Sequence, residues 1–184
     1  ADNHDMDRLS TAANNDVRKY KMALAMLATV RGYPQIYYGT EIMIPGIAGD
    51  YQGHRFTFPG GWQSDKRDAF VATGRTNPEN EVFDYLKKLL NYRKASEALQ
   101  SGNMMQFIPE NGLYVFFRYN DEKTIMVVCN NNEEKTSFTT ERFAERIGTF
   151  EAGVDIISRT PHDLKYPIDI EGKSVLILEL THWL

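Results

Sequence analysis

The feature that most constrains this chain is a change of hydrophobic period near Met104. Before it, apolar residues recur at three and four; after it, they alternate. From Asn15 to Val30 the residues Val17, Tyr20, Leu24 and Leu27, with Ala23 and Val30 beside them, form the stripe of an amphipathic helix. Asn14, Asn15 or Asp16 can cap its start, and Gly32 is placed to end it. A second helix is expected from about Asn80, carrying Val82, Tyr85, Leu86, Leu89, Leu90 and Tyr92. Past Met104, Leu113, Val115 and Phe117 alternate with Tyr114, Phe116 and Arg118. Ile125 and Val127 alternate with Met126 and Val128, and Val175 to Leu180 makes a last run. Turn chemistry separates these strands at Asn111-Gly112, Asn120-Asp121, Asn130-Asn131-Asn132 and Gly172. Glu141 to Ile147 reads as a short helix across one edge. The period change therefore predicts two domains, residues 1–100 and an all-β antiparallel domain over 101–184.

Between the two helical stripes, Gln35-Ile36-Tyr37-Tyr38 reads as a buried strand set in direction by Pro34, with Gly39 letting the backbone leave sharply. Ile42 to Thr76 gathers glycines and prolines with aromatics at no fixed period, which predicts a long functional loop. A hydrophobic fraction of 42% and a charged fraction of 25% describe an ordinary globular chain, excluding a disordered one. No apolar run reaches the ~18 residues a membrane span needs. A net charge of −4 argues against a nucleic-acid surface, which requires clustered Lys and Arg. Cys129, the single cysteine, has no partner for an internal disulfide and reads as a buried thiol.

Chemistry is concentrated in two short stretches. Asp2-Asn3-His4-Asp5, followed by Arg8, sets a carboxylate beside an imidazole; Gly32-Tyr33-Pro34-Gln35-Ile36-Tyr37-Tyr38-Gly39-Thr40-Glu41 runs from a strand into a loop ending in another carboxylate. By itself the triplet Asn3-His4-Asp5 also fits a helix cap or turn. Its His-Asp pair also fits a metal-dependent phosphohydrolase, but such a site needs further converging ligands. His54, His162 and His182 are scattered over two loops and the last segment.

In this order and at this distance the two stretches resemble the last conserved strand regions of glycoside hydrolase family 13, the α-amylase family. Phe58-Pro59-Gly60-Gly61-Trp62, preceded by Arg55, resembles a loop of its neopullulanase and cyclomaltodextrinase branch. The resemblance implies the last βα units of a (β/α)8 TIM barrel followed by an antiparallel C-terminal β-sandwich. Since such a barrel needs roughly 250 residues, its other strands are expected upstream of Ala1.

The resemblance further implies retaining hydrolysis of α-1,4-glucosidic bonds in maltooligosaccharides, cyclodextrins or pullulan. Asp5 would be the catalytic carboxylate that stabilises the transition state, with His4 and Asn3 binding substrate. Trp62 and Tyr51, or Phe58, would offer flat faces to sugar C–H groups. Nucleophile and proton donor would lie upstream, so the chain alone is expected to be inactive and, with a barrel edge unpaired, to self-associate. No cofactor is expected within these residues; calcium is possible elsewhere in the parent enzyme, whose home would be periplasm or cytoplasm. No nucleic acid or membrane partner is implied. The alternative is a non-catalytic starch-binding β-sandwich module.

Overall fold

A computed structural model describes residues 1–50 and 55–183. Its helices are α1 (Leu9–Ala12), α2 (Val17–Thr29), α3 (Asn77–Lys94), α4 (Glu97–Gln100) and α5 (Ala144–Ile147). Its strands are β1 (Asn103–Gln106), β2 (Leu113–Tyr119), β3 (Thr124–Asn130), β4 (Thr136–Phe138), β5 (Ala152–Asp155), β6 (Pro161–Asp163), β7 (Ile168–Ile170) and β8 (Ser174–Thr181). Internal packing divides the chain into one unit of Ala1–Leu27 with Pro34–Lys87 and another of Ala28–Tyr33 with Lys88–Leu184.

In the first unit, Asp16 starts α2: its Oδ1 accepts from the backbone N–H groups of Arg18 (2.8 Å) and Lys19 (3.4 Å). Tyr20, Leu24 and Ala25 form its buried face here, while Leu27 stays half-buried. Helix α3 begins three residues before the expected Asn80, and the reason is a capping box. Glu79 accepts from the Thr76 N–H at 2.7 Å while Thr76 Oγ1 accepts from the Glu79 N–H at 3.4 Å. Arg67 adds a two-pronged bond to the same Glu79 carboxylate, at 2.6 and 2.8 Å. This pairing holds Glu79 below the usual carboxylate range although burial pushes the other way.

The expected strand over 35–38 is absent from the described structure. That stretch is irregular, with Gln35 and Tyr38 exposed and Ile36 and Tyr37 half-buried. A strand is defined by a ladder, and among the described residues none pairs with it. From Ile42 to Thr76 the described residues hold only short 3₁₀ turns, as expected of a loop. Ile42, Ile44 and Ala69 form a small cluster there, with Phe58 and Phe83 against it.

The second unit carries a six-stranded antiparallel sheet in the order β1-β2-β3-β8-β5-β6 and a two-stranded sheet of β4 and β7. Register shows why the alternation was readable. Phe117 lies opposite Met126, and Met126 opposite Leu178, so one face of three strands is apolar. That face packs with Phe138, Ile168 and Ile170 of the small sheet, with Ile147 of α5 and with Phe143 just before that helix, closing a sandwich core. Between β2 and its bridge partner, Asn111 (φ 52°) and Gly112 (φ 77°) both take the left-handed conformation a tight turn requires. Asn130 ties the two layers. Its side-chain amide donates to the carbonyls of Glu134, Ile170 and Glu171 at 3.0–3.2 Å, and its oxygen accepts from the Asn132 N–H at 3.0 Å.

Candidate active site

The stretch Asn3-His4-Asp5 forms an exposed turn before α1. Asn3 Oδ1 accepts from the Asp5 N–H at 2.8 Å, an Asx turn that fixes the backbone between them. His4 Nε2 lies 3.1 Å from Asp5 Oδ2, with side chains 59% and 69% exposed, so both groups face solvent. Arg55 approaches from the loop: its guanidinium is 3.9 Å from Asp5 Oδ1 and donates to the His4 carbonyl at 3.5 Å. Asn3, His4, Asp5 and Arg55 are thus brought together.

Beneath this turn lies a buried polar network. The Asp2 carboxylate accepts from Arg8 Nε at 3.0 Å, the Leu9 N–H at 3.0 Å and Thr40 Oγ1 at 2.9 Å. The Arg8 and Asp2 side chains are 0% and 2% exposed, which makes this a dry ion pair. Arg8 also donates to the Tyr38 carbonyl at 2.5 Å and sits over the Tyr37 ring at 4.5 Å. Tyr20 of α2 donates to the Thr40 carbonyl at 2.6 Å, and burial, reinforced by the Asp2 charge, pushes its hydroxyl far above an ordinary phenol. Arg8 is a brace, whereas Glu41 Oε2 is buried with no hydrogen-bond partner among the described residues.

Gly39 makes the crossing of these segments feasible. At φ 80° it opens a turn closed by the Ile44 N–H bonding back to its carbonyl at 2.9 Å, and a Cβ there would meet Ile44 Cδ1 at 2.4 Å. Asp2 was the residue the motif reading passed over.

Trp62 belongs to a separate turn. One carboxylate oxygen of Asp65 accepts from the Gly60 N–H (3.1 Å) and the Trp62 N–H (3.0 Å), leaving the indole 71% exposed. Phe58, half-buried, stacks on Phe70 with centroids 4.5 Å apart. Tyr51 lies outside the described residues. Among the described residues, no three His, Cys, Asp or Glu side chains converge as metal ligands would, and no helix is long and apolar enough to cross a membrane.

An exposed His-Asp turn on an irregular, loop-rich unit is thus followed along the chain by an antiparallel sandwich. Residues 1–70 match the family described as alpha amylase, catalytic domain, and residues 104–179 match the cyclo-malto-dextrinase C-terminal domain. The chain belongs to the α-amylase family. A cyclomaltodextrinase of Thermoanaerobacter pseudethanolicus is 31% identical over 134 residues, covering 72% of this chain and 20% of that protein. A cyclomaltodextrin glucanotransferase of Bacillus licheniformis is 32% identical over 150 residues, covering 81% and 18%. The chain thus spans about a fifth of the length of the curated relatives it matches. The crystal structure of an Anoxybacillus α-amylase superposes with a TM-score of 0.75 over 100% of this chain and 37% of that one, at 23% identity, which supports the fold.

Proposed function

We propose that residues 1 to about 100 form the end of the catalytic barrel of an α-glucan hydrolase, and that 101–184 form its C-terminal sandwich. The observation that carries this is the solvent-facing Asn3-His4-Asp5 turn, within the residues matched by the amylase catalytic domain. Retaining hydrolysis requires a carboxylate nucleophile and a carboxylic acid about 5 Å apart across an oxocarbenium-like transition state. Asp5 acts as a third carboxylate. Its fixed negative charge stabilises the developing cation more than the neutral ground state, and it accepts hydrogen bonds from sugar hydroxyls. His4 donates to the sugar in the adjacent subsite, and Asn3 holds the Asp5 backbone. Trp62 presents a flat face to a further sugar unit, and substrates are α-1,4-linked maltooligosaccharides, cyclodextrins or pullulan.

The nucleophile and acid are supplied outside these residues, so the isolated chain turns over nothing. Its exposed Ile47, Phe56, Phe70 and Val71 favour self-association, which light scattering reads. In the enzyme containing this sequence, Asp5→Asn is expected to lower kcat on maltoheptaose by about 10²–10³. Full activity in that variant, or turnover by the isolated chain, overturns the reading. A second reading, glycan binding by the sandwich, is favoured by a groove of about 500 Å³ lined by Arg159, Glu179, His182 and the half-exposed Trp183. Calorimetric titration with maltoheptaose tests it, with loss on Trp183→Ala as the expected sign.

A further inference from the structure

Asp2 and Arg8 stand at the two ends of the turn that carries Asp5. The five residues between them, Asn3 to Asp7, belong to no helix or strand; the Asx turn of Asn3 holds only their tip, and the Ala48 N–H donates to Asp7 Oδ1 at 2.7 Å. A single ion pair, Arg8 Nε to Asp2 Oδ2 at 3.0 Å, closes the base of that turn. The same pair is fastened to a second segment, through Thr40 Oγ1 donating to Asp2 at 2.9 Å and Arg8 donating to the Tyr38 carbonyl at 2.5 Å. A third segment completes the ring. Tyr38 donates its hydroxyl proton to the Phe56 carbonyl at 2.7 Å, and the neighbouring Arg55 reaches Asp5 and the His4 carbonyl.

An apolar pair of similar volume would stabilise a packed interior as well as or better than a buried ion pair. What the ion pair and its hydrogen bonds add is direction, because each bond tolerates only a narrow angle and distance. We propose that Asp2 and Arg8 are positioning residues that clamp the base of the Asn3–Asp7 turn and so fix where the Asp5 carboxylate points. This inference rests on the α-glucan reading of Asp5. Misplacement of a reacting group by about 1 Å costs on the order of 10²-fold in rate, which makes the clamp visible in kcat.

The test uses the enzyme containing this sequence, with maltoheptaose as substrate. Asp2→Asn is expected to lower kcat by about 30–100-fold with KM changed less than about threefold. Thr40→Val keeps the ion pair and removes one hydrogen bond to it; a loss of about fivefold in kcat is expected, and it decides the matter if Asp2→Asn does not fold. Leu24→Ala, a buried apolar truncation on α2 away from the turn, serves as the stability control and should leave kcat within about twofold at a temperature where it is folded. The proposal is overturned if Asp2→Asn and Thr40→Val behave like Leu24→Ala, or if their losses lie wholly in KM. Loss of activity in Asp5→Asn with normal Asp2→Asn and Thr40→Val kinetics sinks the clamp alone. An active Asp5→Asn enzyme sinks the α-glucan reading and the clamp with it.

Discussion

The two units bury polar groups for different ends. In the first, a carboxylate, a guanidinium and a hydroxyl are locked together under an exposed turn, and the backbone they serve is irregular. In the second, the ladders of a six-stranded sheet satisfy most backbone groups, and the core between layers is almost wholly apolar. Among its buried polar residues, Asn130 and Arg118 act as staples on backbone carbonyls. Regular structure carries its own hydrogen bonds, whereas an irregular segment must borrow side chains to hold a shape. A loop that has to present a charge at a fixed angle belongs to the second kind.

The sharpest way to break this contrast is to remove one member from each side. Arg8→Met leaves the Asp2 carboxylate buried without its cation, at an expected cost of about 3–5 kcal/mol. Hydrogen exchange should show the loss in residues 1–12 and 38–46 while the sheet amides stay protected. Phe117→Ala, of similar expected size at about 3–5 kcal/mol, should do the reverse, lowering the denaturant midpoint of the sheet unit. If either variant loosens both units alike, the division is wrong. Asn130→Ala comes next: it frees three buried carbonyls, for an expected loss of about 1–3 kcal/mol read from the same denaturant curve.

A smaller effect concerns acid. Burial alone would raise the Glu179 carboxyl, but hydrogen bonds from Lys123 (2.8 Å) and Tyr92 (2.5 Å) hold it below its usual value. A carboxyl depressed in the folded state adds stability that is complete above the unfolded value near 4.5 and disappears as pH falls through the folded one. The wild-type denaturant midpoint should therefore fall more steeply below about pH 4.5 than that of Glu179→Gln. The smallest effect is a null one. Burial pushes the Cys129 thiol up to about 12, so at pH 8 a thiol reagent should label native protein far more slowly than unfolded protein, without changing stability.

How much of this was legible in the sequence follows from which interactions are periodic. Strands β2, β3 and β8 were readable because apolar residues dominate seven or eight consecutive positions bounded by turn residues, β3 being buried throughout. Short strands β1, β4, β6 and β7, of three or four residues with polar members such as Asn103, Ser137 and Asp163, carry no period to detect. The Asn111-Gly112 turn was legible from residue chemistry alone. Tyr37 and Tyr38 misled, since an apolar run says strand only where a neighbouring strand can complete the ladder. At the candidate site, Asn3, His4 and Asp5 were singled out by motif, and the structure places them in one turn. Asp2 was not, because its importance lies in a partner six residues on and another thirty-eight residues on.

Arg93 and Arg118 give the second unit a reach that its strands do not suggest. Buried among carbonyls, their guanidiniums lose protons more readily than usual because desolvation disfavours the charge, with neighbouring arginines adding to the effect at Arg118. Their acceptors include the carbonyls of Ala28, Gly32 and Thr29, at the far end of α2. Anyone grafting this sandwich onto another barrel by cutting at residue 100 would leave Arg93 and those carbonyls behind and strand Arg118 without its Thr29 acceptor. A workable graft has to bring residues 28–33 along, so the transferable module is discontinuous in sequence.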